Sequence, residues 1–278
     1  MATRNLAKWL DGEQDRLVWI EFDDYAHRVF AGDSPDWLNI ANVFVGGVGQ
    51  ALGVVATEVL SIDLLAAYRI ALERSEASPA DTIETMLGQD IPQQFVGQVI
   101  DALAHRYGDR MDLVVKIPSP AQLLRLAGLQ DPPSFDDLDD VGIGLSNLLR
   151  EFSARPIAGV LIATSEPISS DEAEALESVV SVARHYEWRV ALSLDSASTV
   201  PGELPEVDMD LLLLPALGHA DIAADTALSL PIGGGLGADY WQGDTDIPVE
   251  PHRALFYGTI PPDTQPERVV KRVADTRP

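Results

Sequence analysis

Short apolar runs alternate along the chain with segments whose apolar residues recur every three or four positions, and the joints between them are polar. The run Asp112–Ile117 (DLVVKI) passes into Ser119-Pro120-Ala121-Gln122. Serine at the N-cap, proline in the first turn and glutamine three residues on spell a capping box for a helix through Leu123, Leu124 and Ala127. The run Ile157–Thr164 (IAGVLIAT) is followed by a second such cap, Ser169 and Glu172, and by Ala173, Leu176, Val180 and Ala183 on one helical face. Near the C-terminus, Arg253–Gly258 (RALFYG) precedes a third, Thr264 with Pro266 and Glu267, backed by Val269, Val270 and Val273. Three strand–cap–helix units in one chain predict parallel strands with crossover helices, not an antiparallel sandwich.

Arg16–Phe22, Arg189–Leu194, Met209–Leu214 and Leu228–Ile232 read as further buried strands, and Val54–Leu60 supplies an eighth. Helical faces also run through Phe95, Val96, Val99, Ile100, Leu103 and Tyr107, and through Leu138, Val141, Leu145, Leu148 and Phe152. Eight strands alternating with helices over about 250 residues is the size of a TIM barrel. The expected fold is therefore α/β, with residues 1–278 forming a single TIM (β/α)8-type barrel with N-terminal helical elaboration. A doubly wound open sheet follows the same grammar and stays as the alternative, because periodicity does not decide closure. Between two of the helices, Gln130–Asp140 (QDPPSFDDLDD) reads as a loop whose carboxylates suit the next helix's N-terminus.

Charge narrows the functional classes. Against 19 Lys and Arg stand 44 Asp and Glu, a net charge of −25. Such a surface repels phosphate backbones and anionic lipid, so nucleic acid and membrane are not expected partners. The chain has no cysteine, which removes disulfides, thiolate nucleophiles, iron–sulfur clusters and Cys-ligated zinc. The 21-residue charge-free run Trp37–Thr57 has the length of a membrane span, but it carries Asn39, Asn42, Gln50 and four glycines between acidic flanks. It reads as buried in a soluble fold. The first residues show no cationic start followed by an apolar core, so no secretory signal is expected and the cytoplasm is the default location.

In a barrel, the polar residues at strand C-termini face the active site. Those ends offer Glu21, Asp23 and Asp24; Lys116 and Ser119; Ser165 and Glu166; Ser193 and Asp195; His219; and Tyr257 and Thr259. Neighbouring carboxylates suit general acid–base work because burial pushes their pKa values apart, although strand-end polar residues also cap helices. Lys116, inside the apolar run LVVKIP, must reach the mouth or pair with a carboxylate such as Glu166. His219 follows the strand MDLLLLPALG and is a candidate acid, base or metal ligand, but no HExxH or two-His-one-carboxylate spacing accompanies it. The run Gly233-Gly234-Gly235-Leu236-Gly237 lacks the Lys-Ser/Thr of a P-loop. With Asp239, Asp244 and Asp246 beyond it, it reads as a mobile acidic loop.

Several segments resemble a known superfamily. VLIATSEPISSDEAEAL is similar to the strand-then-Glu-Pro segment of cobalamin-independent methionine synthase, with Glu166-Pro167 on that family's acidic Glu-Pro-Ala motif. ALFYGTIPPDTQPERVVKRV resembles the last strand and helix of that family and of uroporphyrinogen decarboxylase, and VKIPSPAQLLRLAG a mid-barrel strand and helix that both share. DRLVWIEFDDYAHR is similar to the decarboxylase's first strand, Trp19 matching its tryptophan. The four segments fall in the right order, and the fold this resemblance implies is again a TIM barrel.

The departures bear on function. The resemblance implies a catalytic zinc held by a histidine and a cysteine two residues apart and by a later cysteine. The matching strand here, RVALSLDSAS, offers Ala191 and Ser193 instead. It also implies an arginine pair after the decarboxylase's first strand, where this chain has Glu21-Phe22-Asp23-Asp24-Tyr25. The expectation is a divergent barrel enzyme acting on a small molecule by zinc-independent methyl transfer or decarboxylation, with no metal and no cofactor. Glu166, Asp195 and Lys116 are the expected catalytic residues; Asp23, Ser119, Ser193, His219 and Tyr257 are the expected substrate contacts. A non-catalytic barrel serving as a binding subunit, in a homo-oligomer or with a partner protein, is the alternative.

Overall fold

The computed structural model describes residues 4–68, 78–108, 110–203, 206–224, 228–247 and 254–277. Eight strands run parallel and in sequence order: β1 Arg16–Glu21, β2 Val59–Asp63, β3 Asp112–Pro118, β4 Ile157–Thr164, β5 Arg189–Leu194, β6 Leu211–Leu214, β7 Ile232–Gly235 and β8 Ala254–Thr259. The sheet closes where β1 pairs with β8, Trp19 opposite Tyr257. Closure leaves no exposed sheet edge and decides for the barrel over the open sheet.

Each strand is buried on both faces, so its apolar residues split into two sets. One set fills the barrel: Leu17, Trp19, Val59, Val114, Leu161, Ala191, Leu211, Leu213, Leu255 and Tyr257. The other packs outward against the helices, with Ile20, Ile62, Val115, Ile162, Leu192, Leu212 and Phe256 among its members. The N-terminal helix Asn5–Leu10 plugs the bottom of the barrel, its Leu6 and Trp9 joining the interior set. The charge-free run after Trp37 forms the helix Ala41–Ala51, and no helix among the described residues is long and apolar enough to cross a membrane.

Two strands lie later in the chain than the apolar pattern predicts. β2 begins at Val59, not Val54, because residues just before it stitch the β1 seam with side chains. The Ile20 N–H donates to the Thr57 hydroxyl at 3.0 Å, and the Val18 N–H to the Glu58 carboxylate at 2.9 Å. β7 begins at Ile232 and runs through the glycines read from sequence as a mobile loop. A Cβ on Gly233 would lie 2.4 Å from Leu255, and one on Gly234 2.5 Å from Ile222. The glycines thus let β7 fit between the barrel's filling and its outer helix. Arg253, expected at the head of β8, lies outside the described residues.

The caps also differ in detail. Ser119 and Ser169 do cap the helices Pro120–Leu126 and Ser170–Ala175, accepting the N–H of Gln122 and Glu172 respectively. Neither box closes on itself, however. The Gln122 side chain accepts from the Ser165 hydroxyl at 2.6 Å, and buried Glu172 accepts the Ala121 N–H at 2.9 Å, so each reaches the neighbouring βα unit. Gln265, not Thr264, stands at the N-cap of Pro266–Asp275. The acidic loop supplies a complete box: Ser134 and Asp137 cap each other at the head of the helix Phe135–Glu151.

Candidate active site

Strand alternation carries one inward row upward on each strand: Leu17, Trp19 and Glu21 on β1; Val59, Ser61 and Asp63 on β2; Val114 and Lys116 on β3; and Ala191 and Ser193 on β5, with Asp195 just beyond. The row changes from apolar to polar as it climbs. At mid-height the Trp19 indole N–H donates to the Ser61 hydroxyl at 2.8 Å, and the Trp19 ring meets Tyr257 edge-on at 5.5 Å. These residues seal the floor, and the charged groups stand above it.

The centre of the mouth is an ion pair. Lys116 Nζ donates to Glu21 Oε2 at 2.7 Å, with the side chains 25% and 10% exposed. The partner expected from sequence, Glu166, is elsewhere. Burial alone would lower the Lys116 pKa, but Glu21, Tyr257 and Asp195 hold the ammonium well above its usual value. The other Glu21 oxygen, Oε1, is buried with no hydrogen-bond partner.

Asp23, at the head of the helix Asp23–Phe30, is pushed up to about 8, first by burial, then by repulsion from Glu21 and Asp63. Its protonated form therefore persists well above the ordinary carboxylate range. Asp63 uses one oxygen to accept the N–H groups of Leu65 and Ala66, at 2.9 and 3.1 Å. Across the mouth, the Ser193 hydroxyl donates to Asp195 at 2.6 Å. Crowding by protein atoms raises Asp195, with the Ser193 bond and Lys116 opposing. Tyr257 is fully buried and hydrogen-bonded with Ser193, and burial followed by Glu21 pushes its phenol far up.

A cavity of about 380 Å³ opens over β2 to β5. Asp63, Lys116 and Asp195 form its charged side, Gln122, Thr164 and Ser165 its polar side, and Leu65, Leu123 and Leu126 an apolar wall.

Lys116, Asp195, Asp23, Ser193 and Tyr257 thus come together, while three of the expected site residues do not join them. Glu166 stands on the outer rim, 58% exposed, 3.8 Å from Arg125. Ser119 is completely buried, its hydroxyl capping a helix. His219 begins the helix His219–Ala224 behind the barrel wall, its ring 5.6 Å from outward-facing Phe256, and burial lowers its pKa. The apolar pattern ends β2 at Leu60 and so hides Asp63, which the strand Val59–Asp63 includes. The alternation of Val59, Ser61 and Asp63 with Leu60 and Ile62 is the signal that places it inward.

No protein-family model and no curated protein matches the chain. Solved structures do resemble it. The metallated homocysteine methyltransferase MmuM from Escherichia coli is 15% identical over 97% of this chain and 99% of its own, with a TM-score of 0.54. The YdhT protein from Bacillus subtilis is 13% identical over 98% and 87%, with a TM-score of 0.48. PbGH5A, a glycoside hydrolase family 5 enzyme from Prevotella bryantii, is 10% identical over 94% and 95%, with a TM-score of 0.47. At 15% identity the likeness to MmuM is one of fold alone, the closed eight-stranded barrel already described, and a fold does not fix a function.

A thiolate-held zinc does not fit this mouth. β5 presents Ala191 and Ser193, the chain has no cysteine, and no three His, Asp or Glu among the described residues converge to hold a metal ion.

Proposed function

We propose that the chain is an enzyme acting by general acid–base catalysis on a small molecule at the barrel mouth, with zinc-independent methyl transfer as its reaction class. The observation that carries this reading is the Glu21–Lys116 pair flanked by Asp23, Asp63 and Asp195 beside a cavity. Two carboxyl groups there differ in role. Asp23 keeps its proton well above the ordinary carboxylate range and serves as the acid; Asp195, positioned by Ser193 and facing Lys116, serves as the base. In methyl transfer the acceptor's lone pair forms the new bond to carbon while the carrier keeps the electron pair of the bond that breaks. The acceptor's proton passes to Asp195; a sulfonium or quaternary ammonium carrier leaves neutral, and Asp23 gives its proton only to a carrier that leaves as an anion.

Decarboxylation fits less well. Its substrate is a carboxylate, which would enter a mouth already holding Glu21, Asp63 and Asp195 and whose cavity is lined by one cation, Lys116, already paired. The alternative of a non-catalytic binding subunit draws on the loss of the thiolates.

The test is incubation of the purified chain, in chelator, with methyl-labelled sulfonium and quaternary ammonium donors and small thiol or amine acceptors. Mass spectrometry should find label on an acceptor, and Asp195→Asn should cut the yield at least about 100-fold, the range of a general base. Failure of every donor, with Asp23 titrating as an ordinary carboxyl by NMR, would leave the non-catalytic reading.

A further inference from the structure

Glu21 is only half satisfied. Its side chain is nine-tenths buried, Oε2 takes the Lys116 ammonium, and Oε1 is buried with nothing to accept from. A buried carboxylate oxygen in that state costs free energy unless a donor arrives. Strand alternation turns Glu21 inward beside Lys116, which lines the cavity, and Asp23 and Asp63 stand close enough to repel each other. Around that oxygen the carboxyl groups of Glu21, Asp23 and Asp63 outnumber the one lysine, Lys116. Leu65, capped by Asp63, and Leu123 and Leu126 give the same cavity an apolar wall.

Resting on the acid–base reading above, we propose that the substrate bears a cationic, hydrogen-bond-donating head, an ammonium or guanidinium group, which docks on Glu21 Oε1 between Asp23 and Asp63. Its body lies along the leucine wall. A metal ion fits the position less well, since these acids do not converge into a coordinating set. An amino acid fits less well too, because its carboxylate would find only Lys116 among the cavity's cations, already bound to Glu21. The expected class is an amine without an acid group.

Charge selectivity is the readout, measured on the full chain by thermal shift with n-butylammonium, n-butanol, n-butyrate and norvaline at equal ionic strength. Only n-butylammonium should raise the melting temperature saturably, by linkage to the native state. The rise should vanish in Glu21→Gln and persist in Asp101→Asn, an exposed acid paired to Arg155 away from the mouth. If Glu21→Gln folds poorly, Asp63→Asn keeps the oxygen that caps Leu65 and Ala66, removes the charge, and should weaken binding several-fold. An equal response to butanol or norvaline, a rise retained in both mouth variants, or displacement of n-butylammonium by magnesium at matched ionic strength overturns the proposal. The two readings fail separately. Amine binding with an ordinary Asp23 titration sinks the acid–base reading alone; a high Asp23 titration without amine selectivity sinks this one alone.

Discussion

The two ends of the barrel handle charge in opposite ways. At the bottom, charges are answered. Arg184 donates to Asp208 at 2.9 Å and to Asp210 at 2.6 Å, and Arg189 lies 3.3 Å from Asp210 and 3.5 Å from Asp11. Asp210 also accepts the Val190 N–H at 2.7 Å, and buried Asp112 accepts the Leu6 N–H at 2.7 Å, tying down the helix that plugs the barrel. At the top, one lysine faces Glu21, Asp23, Asp63 and Asp195, and a buried oxygen has no donor. A fold whose lower charges are matched can carry an unmatched set above, and such local inconsistency is what a site for a ligand looks like before the ligand arrives.

The largest expected effect comes from breaking the matched end. Asp210→Ala takes one carboxylate from Arg184 and Arg189, which keep Asp208 and Asp11, and strands the Val190 N–H. It should cost about 2–3 kcal/mol in urea unfolding, most of it for the unsatisfied strand N–H and the weakened pairs. The n-butylammonium response at the mouth should survive. If it disappears with the stability, the two ends are not separate.

A smaller effect, with the opposite sign, is expected at the top. The folded pKa of Asp23 is raised to about 8, so the native state holds its proton more tightly than the unfolded chain. Stability from this group is complete below about pH 4 and is lost as the pH rises towards 8. Asp23→Asn removes that loss. The variant should match the parent near pH 5 and exceed it near pH 9 by about 1–2 kcal/mol, discounted for solvent reaching the mouth. Asp112, pushed up to about 6 by burial against the Leu6 bond, should show the same direction in a window closing two units lower. Urea midpoints across pH for Asp23→Asn and Asp112→Asn would separate the two ends directly.

How much of this was legible in the sequence follows from what each signal measures. β1, β3, β4 and β5 were readable because a strand buried on both faces is a continuous apolar run, and these runs end at polar caps. β2 and β7 were misplaced because their marks are not apolar: β2 is entered through the side-chain bonds of Thr57 and Glu58, and β7 is made of glycines chosen for close packing. The residues that meet at the candidate site were legible wherever a strand's end was correct, hence Lys116, Ser193 and Asp195. Asp63 was hidden by the slip in β2. The partner of Lys116 was not legible either, since Glu21 meets it across the closed barrel and no local pattern records that distance.

Glu166 gives the smallest expected effect and the sharpest contrast with the sequence reading. Its position after β4 made it a natural catalytic acid, and the Glu-Pro resemblance reinforced that. In the fold the chain turns outward at Ser165, whose backbone and hydroxyl are held by Gln122, and the Thr164 hydroxyl donates to the Glu166 carbonyl. The carboxylate is carried to the outer rim, where it faces Arg125 across 3.8 Å of solvent-washed surface. Exposed pairs of that kind contribute about 0–1 kcal/mol. Glu166→Gln should therefore shift stability by less than about 0.5 kcal/mol and leave both amine binding and any turnover within two-fold of the parent. Loss of turnover at unchanged stability would instead mean that the β4 loop folds over the mouth during the reaction, bringing a fifth carboxylate to a site that here has four.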